Sequence, residues 1–175
     1  MRKVIGIGET ILDIIFKNEQ PTAAKPGGST FNSMITLGRL GVNTEFISEV
    51  GRDRLGKQIK EFLAENNVKA DNVYDYDGGK TALSLAFLDE NMNADYLFYK
   101  NDAAQKLDYV MPKIEENDII VIGPFFSIND ALRENLTYLL HEAKRKKAII
   151  YYDVKKKKNR KSQVRFLMPN ILDNF

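Results

Sequence analysis

Four short apolar runs, separated by helix-like stretches, constrain the fold of this chain most strongly. Each run is rich in β-branched residues or tyrosine and is typical of a buried strand; they cover residues 4–8, 44–50, 119–123 and 148–152. The stretches between them place apolar residues at helical spacing, as in Leu55, Ile59, Phe62 and Leu63. Strands that alternate with helices in this way predict an α/β fold, in which helices cover both faces of a parallel sheet.

A pair of glycines, Gly27 and Gly28, opens the first helix-like stretch. Two successive residues without a Cβ let the backbone approach a ligand closely. Ser29 or Thr30 is expected to cap the helix, which places Asn32 in its first turn. The pattern predicts a binding loop for a polar small molecule, held in place by a packed helix.

Residues 73–99 have β character that departs from this alternation. The runs 82–88 and 94–99, joined by the polar residues 89–93, predict a hairpin, and with the apolar run 10–16 they are expected to form a small separate sheet. Asp13 interrupts that last run, which by itself indicates an edge-strand charge or a hydrogen-bond acceptor in a turn. Because ligands of parallel sheets bind at the carboxyl ends of the strands, we expect Asp13, Gly28 and Asp153 at one edge.

Composition excludes several kinds of site. The absence of cysteine rules out disulfides, thiolate catalysis and cysteine-ligated zinc, and the single histidine, His141, leaves no histidine pair for a metal and no catalytic triad. No apolar run approaches the roughly 20 residues that a membrane helix needs, so no membrane association is expected. A chain of this kind is expected in the cytoplasm.

Two glycine motifs and a basic segment are interpreted as structural. Gly6-x-Gly8 lacks the third glycine of a dinucleotide fingerprint. Residues 51–57 match the beginning of a P-loop, but Gln58 stands where a hydroxyl must hold magnesium, and Asp53 is expected to cap a helix there. Residues 144–175 hold eleven Lys or Arg residues and two acidic ones, yet no aromatic residue interrupts the lysine run, which favours a solvated loop over nucleic-acid binding.

Three motifs in order resemble the first signature of the ribokinase-like (pfkB) carbohydrate kinases. They are Gly8-Glu9-x-x-x-Asp13, an opening common in the fructokinase branch, Gly27-Gly28-x-x-x-Asn32, and Val50-Gly51-x-Asp53-x-x-Gly56. The resemblance implies a ribokinase-like fold, with a three-layer parallel sheet flanked by helices and a small β lid from about residues 10–17 and 82–100. It also implies that residues 1–175 are the N-terminal, sugar-binding part of one kinase domain, without the C-terminal ATP-binding part.

The same resemblance implies an activity, which is ATP-dependent phosphorylation of a sugar hydroxyl, with Mg²⁺ accompanying the ATP. The family's second signature, Asp-Thr-x-Gly-Ala-Gly-Asp, does not occur, so the general base is expected beyond Phe175. A homodimer formed through the lid is implied as well. The alternative is a non-catalytic sugar- or nucleoside-binding domain that lacks the kinase half.

The resemblance assigns sugar-binding roles residue by residue. Asp13 and Asn32 are expected to hold sugar hydroxyls, and the two glycines are expected to let the sugar approach. Phe98 and Lys100 match positions where the family tends to place an aromatic residue and an arginine near the substrate; their alternative roles are lid core and solvated edge charge. Asp153 is a further candidate, and the complete set comprises Asp13, Gly27, Gly28, Asn32, Phe98, Lys100 and Asp153.

Overall fold

The computed structural model describes residues 2–100, 111–123 and 132–153, which contain ten strands and three helices. The strands are β1 (Val4–Ile7), β2 (Ile11–Lys17), β3 (Gln20–Gly27), β4 (Thr44–Gly51), β5 (Val68–Lys69), β6 (Val73–Tyr76), β7 (Leu83–Leu88), β8 (Ala94–Tyr99), β9 (Ile119–Ile122) and β10 (Ile149–Tyr152). The helices are α1 (Ser29–Arg39), α2 (Arg54–Glu65) and α3 (Arg133–Arg145). The basic run predicted as a solvated loop begins after residue 153 and lies outside the described residues.

The main sheet is parallel and contains the four apolar runs that were predicted as strands. Its order is β10-β9-β1-β4-β5, with β6 paired to the far part of β4. Strands β1, β4 and β9 start at the same level, because Val4 lies opposite Thr44 on one side and opposite Ile119 on the other. All carboxyl ends of these strands therefore meet at one edge, as predicted.

Helices cover both faces of the main sheet, which confirms the three-layer prediction. One core joins α3 to one face and contains Ile5, Ile7, Ile120 and Leu139. The other core joins α1 and α2 to the opposite face and contains Val4, Phe31, Met34, Phe46, Ile59 and Leu63. Ile5 and Val4 belong to different cores because successive side chains of a strand point to opposite faces.

The second sheet has the order β3-β2-β7-β8. Each of its two hairpins is antiparallel, and the hairpins join through the parallel pair of β2 and β7. The separate sheet predicted from runs 10–16, 82–88 and 94–99 is therefore confirmed. Its fourth strand, β3, was not predicted, because residues 20–25 are mostly polar or small and Pro21 and Pro26 suggest a loop. An edge strand tolerates proline, since one side of it needs no ladder partner.

The helix ends test the predicted caps. The prediction that Ser29 or Thr30 caps α1 is wrong: the N-cap residue is Gly28 and no side chain caps the helix. The hydroxyl of Ser29 is engaged elsewhere, because it donates to Oδ2 of Asp153 at 2.7 Å. The Asp53 cap of α2 is confirmed, since its side chain accepts from the backbone N–H of Gly56 at 2.8 Å.

Candidate functional site

The carboxyl edge of the main sheet brings together the segments in which site residues were predicted. Just past the strand ends, Gly8 N–H donates to Ile47 O at 3.2 Å, Gly123 N–H to Ile7 O at 2.8 Å and Asp153 N–H to Ile122 O at 3.0 Å. Gly8 leads directly into β2, and Gly28 separates β3 from α1. The second sheet therefore begins at the edge where a parallel sheet binds its ligands.

Asp13 lies half-buried in the middle of the second sheet, on β2. Its Oδ1 accepts a hydrogen bond from the hydroxyl of Ser84, which is fully buried on the adjacent strand β7. Its Oδ2 rests against the backbone of Gly27, where any Cβ would collide with it. Within the described parts of the chain only Ser84 donates to this carboxylate, so lone pairs of Oδ2 are available to a ligand.

The two glycines connect Asp13 to Asn32. Gly28 has a φ of 134° and a ψ of 146°, a conformation open essentially only to glycine, and a Cβ there would collide with the carbonyl oxygen of Glu9. The carbonyl of Gly28 accepts from the backbone N–H of Asn32 at 2.9 Å, and the side chain of Asn32 is exposed. Asp13 therefore contacts Gly27, and Asn32 lies in the first turn of the helix that Gly28 opens.

Phe98 and Lys100 reach the same region from the last strand of the second sheet. Asp13 is in register with Ser84, and Ser84 with Phe98, so the three side chains share one face. Phe98 is 55% exposed and stacks on Tyr96, with ring centroids 5.7 Å apart. The ring is therefore exposed on the face of the second sheet that carries Asp13, with Ser84 of β7 between the two residues.

Lys100 forms an ion pair with Glu9 at the exposed end of the second sheet. Its Nζ lies 2.7 Å from Oε2 of Glu9 and 5.7 Å from the ring centroid of Phe98. The side chains of Lys100 and Glu9 are about one quarter exposed, at 28% and 25%. Sequence reasoning did not assign Glu9 a role; the only signal was its place in the opening Gly-Glu-x-x-x-Asp motif.

Asp153 reaches the site through the first residue of α1. The hydrogen bond from Ser29 holds its carboxylate next to the beginning of that helix, where the helix dipole favours negative charge. Ser29 follows Gly28 directly, so Asp153 lies beside the glycine pair. The contacts place Asp13 against Gly27 and Asp153 against Ser29, whereas Phe98 and Lys100 lie at the far side of the second sheet, and a common site for all seven residues stays a prediction.

Thr30, which was predicted only as a possible helix cap, has an unusual environment. The residue is 2% exposed, and its hydroxyl has no hydrogen-bond partner among the residues that the structure describes. The hydroxyl fills the space beside two strand ends, since added Cβ atoms at Gly8 and Gly123 would lie 2.8 and 2.5 Å from it. The small residues after those two strand ends were the only sequence signal of such close packing.

In the stretch that resembles a P-loop, the carboxylate of Asp53 occupies the helix N-terminus where a P-loop would hold phosphate. Burial opposes ionisation of Asp53, but the backbone N–H groups of Gly56 and Thr81 and the Thr81 hydroxyl donate to it and keep the pKa of this carboxyl below its ordinary value.

Tyr76 lies close to the same carboxylate. Burial, together with the negative charges of Glu49 and Asp53, raises the pKa of Tyr76. The Tyr76 hydroxyl donates to Lys80 O at 2.7 Å.

Two further observations concern metals and membranes. The described residues contain no group of three or more His, Cys, Asp or Glu side chains arranged to hold a metal ion. In the same residues, no helix combines the length and the apolar character that crossing a membrane requires.

Comparison with known proteins gives one family match and several relatives. The model of the pfkB family of carbohydrate kinases matches residues 1–172. A fructokinase of Solanum tuberosum is 26% identical over 161 residues, which cover 86% of this chain and 50% of that protein. The chain thus spans about half the length of the curated relatives it matches.

Solved structures share the fold. A fructokinase from Vibrio cholerae superposes with a TM-score of 0.80 at 19% identity, covering 99% of this chain and 60% of that one. An uncharacterized sugar kinase from Pyrococcus horikoshii, solved in complex with ATP, superposes with a TM-score of 0.77 at 23% identity over 96% and 58%. These likenesses confirm the predicted ribokinase-like fold. The family match over nearly the whole sequence shows in addition that this chain belongs to the pfkB family of carbohydrate kinases.

Proposed function

We propose that this chain is the sugar-binding part of an ATP-dependent carbohydrate kinase with fructokinase-like specificity. The observation that carries the proposal is the contact of the Asp13 carboxylate with Gly27, directly before the glycine that opens α1. Membership of the pfkB family supports the reaction class. The name of the relative from Solanum tuberosum supports fructose as the first sugar to test.

Asp13 is the principal sugar ligand in this proposal. An ionised carboxylate only accepts hydrogen bonds, and a sugar presents donor hydroxyls on adjacent carbons. Ser84 engages Oδ1 and fixes the carboxylate, which leaves Oδ2 directed toward the glycine pair. A hydrogen bond to a charged group contributes about 1.5–3 kcal/mol, so two such bonds are enough to select a polyhydroxylated ligand.

The remaining residues complete the sugar site. Gly27 and Gly28 bring the backbone close to the ligand, and the exposed amide of Asn32 both donates and accepts. The ring of Phe98 packs against the C–H groups of the sugar, and Lys100, oriented by Glu9, donates to an outer hydroxyl. Asp153 accepts a hydrogen bond at the α1 end of the site.

The second sheet acts as the lid of this site. It carries Asp13 on β2 and Phe98 on β8, so its position relative to the main sheet determines whether both reach the sugar. A lid that closes over the sugar excludes water, which competes with the sugar as a phosphoryl acceptor.

ATP with Mg²⁺ is the proposed phosphoryl donor, supported by the family and by the relative solved with ATP. The described residues do not fit these groups: Asp53 occupies the one P-loop-like helix start, and no acidic cluster is present among them. We therefore propose that the C-terminal ATP-binding part expected of such a kinase supplies the phosphate-binding groups and the general base. The absence of cysteine favours the cytoplasm as the location of the protein.

We further propose that the protein forms a homodimer through the second sheet. Four consecutive apolar or aromatic residues of its edge strand β8 are exposed by 47–58%: Tyr96, Leu97, Phe98 and Tyr99. Leu97 and Tyr99 point away from the face that carries Asp13, because neighbouring residues of a strand alternate. An apolar edge strand of this kind is a ready pairing surface for a second copy.

Calorimetric titration of the chain with fructose, ribose, 2-keto-3-deoxygluconate and adenosine tests the sugar site. We expect fructose to bind and Asp13→Asn to weaken its affinity at least about tenfold, because an amide replaces the charged acceptor. The matched control is Asp95→Asn on the exposed strand β8, which should bind like the parent.

Phosphoryl transfer from ATP by the protein that carries this chain tests the reaction. Turnover of fructose supports a kinase, whereas sugar binding without turnover supports the non-catalytic binding domain. The proposal is overturned if the protein binds none of the four ligands and phosphorylates none of them.

A further inference from the structure

In the described part of the chain, three segments connect the main sheet to the second sheet. Residues 8–10 lead from β1 to β2, Gly28 leads from β3 to α1, and residues 77–82 lead from β6 to β7. The third is the longest of these and enters the strand whose Ser84 holds Asp13. Its anchoring therefore influences the position of the sugar ligands.

Thr81 anchors this third segment to the main sheet. The residue is 4% exposed, its backbone N–H donates to Oδ2 of Asp53 at 2.8 Å, and its hydroxyl donates to Oδ1 of Asp53 at 2.7 Å. The same hydroxyl accepts from the backbone N–H of Gly51, the last residue of β4, at 3.1 Å. One threonine is thus bonded both to the end of β4 and to the beginning of α2.

The two chain segments approach each other so closely that only glycine fits at position 51. A Cβ there would lie 2.5 Å from Thr81 N and 2.7 Å from the carbonyl carbon of Lys80. A helix cap needs only the bond from Gly56 to Asp53. The two bonds from Thr81 serve a second purpose, which is to fix residues 77–82 against the main sheet.

The anchor is three residues away from the site. Ser84 follows Thr81 by three positions, a span of at most roughly 10 Å of extended chain. β7 pairs with β2 over Leu12 to Lys17 and with β8 over Ala94 to Tyr99, so a shift of β7 moves both Asp13 and Phe98. The Ala82 carbonyl, next to Thr81, also accepts from Leu12 N–H at 3.0 Å.

We propose that Asp53 and Thr81 form a positioning clamp that sets the second sheet at the angle to the main sheet at which Asp13 and Phe98 meet the sugar. Neither residue touches the ligand; both act through β7. The part of this inference that concerns sugar rests on the proposed function, whereas the part that concerns the second sheet rests on geometry alone. Hinges of this kind are set by a few residues at element ends.

Hydrogen–deuterium exchange of the full chain tests the clamp without any ligand. Thr81→Val keeps the side-chain shape and removes the hydroxyl, and Thr81→Ser keeps the hydroxyl as the matched control. We expect Thr81→Val to accelerate amide exchange in β7 and β8 about tenfold, with β1, β9 and β10 unchanged, and Thr81→Ser to match the parent. Asp53→Asn is a second variant: it keeps a cap for Gly56 but turns an N–H₂ group toward the Thr81 donors, and it should show the same pattern.

Fructose titration of the same proteins tests the consequence for the site. We expect Thr81→Val to weaken fructose binding about tenfold and Thr81→Ser to leave it unchanged. Three results for Thr81→Val would overturn the clamp. They are amide exchange at the parent rate, exchange that rises equally in every strand, and unaltered fructose binding. If the exchange pattern appears but the parent binds no sugar, the clamp stands and the proposed sugar function fails.

Discussion

The hydroxyl of Thr30 is buried and has no hydrogen-bond partner among the described residues. This single atom leads to a prediction about stability. Replacing an unsatisfied polar group by an apolar one of the same shape removes its desolvation cost. We expect Thr30→Val to raise the free energy of unfolding by about 1 kcal/mol, measured by urea denaturation followed by circular dichroism.

Thr44 offers the matched control for this substitution. It is 1% exposed, but its hydroxyl donates to Asn67 O at 3.3 Å, so Thr44→Val should lower the free energy of unfolding by about 1 kcal/mol. Equal losses in the two variants would contradict the assignment of Thr30 as unsatisfied.

Asp53 makes the stability of the chain depend on pH. Its pKa in the folded state lies below the ordinary value of 3.8, so its ionised form is favoured by folding. The resulting stabilisation is present in full above pH 3.8 and is lost as the pH falls through the lower, folded-state pKa. We expect the difference in free energy of unfolding between the parent and Asp53→Asn to be constant from pH 7 down to about 5 and to shrink below pH 3.8.

Asp77 is the control for this pH series, because its ion pair with Arg52 is mostly exposed, with side-chain exposures of 75% and 67%. Surface pairs of this kind contribute little to stability. Asp77→Asn should therefore follow the parent across the whole range. If the difference in free energy of unfolding between the parent and Asp53→Asn grows as the pH falls, the sign of the pKa shift is wrong.

At the level of elements, α1 depends on the backbone conformation of the glycine before it. Gly28→Ala forces a Cβ into a conformation that costs about 1–3 kcal/mol and drives it into Glu9 O. Gly41→Ala is the control, because Gly41 also has a positive φ, of 78°, but open space around it. Urea denaturation should show the larger loss for Gly28→Ala; equal losses would mean that the contact with Glu9 is easily relieved.

The elements also show what a sequence can reveal. β1, β4, β9 and β10 were predictable because their β-branched runs favour strands in any buried context, and the Asp53 cap was predictable because its partner, Gly56, is three residues away. β3 was not predictable, since residues 20–25 become a strand only by pairing with β2. The Ser29 cap was predicted wrongly because its hydroxyl bonds to Asp153, 124 positions away.

The same distinction between local signals and long-range contacts applies to the site residues. Gly27, Gly28, Asn32 and Asp13 were predicted from local motifs, and of these the structure places Asp13 against Gly27. Contacts between distant residues, such as Lys100 with Glu9 and Ser84 with Asp13, depend on the order of strands in the second sheet and leave no local signal.

At the level of the whole molecule, the exposed strand β8 makes a prediction about assembly. Sedimentation velocity should find the parent as a dimer and Leu97→Lys as a monomer, because a charge on the pairing strand opposes its burial. Leu40→Lys is the control, since Leu40 is 74% exposed at the end of α1, away from the second sheet. A monomeric parent, or dissociation caused equally by both variants, would contradict a dimer formed through this sheet.

The parallel pairing of β2 with β7 has a consequence for biosynthesis. The hairpin of β2 and β3 is complete by residue 27, but the strand it must join is not made until about sixty residues later. A hairpin of two strands is marginal in water by itself. On the ribosome, the first hairpin is therefore made before β4, α2 and β6, and Asp13 acquires its partner Ser84 only after β7 has emerged.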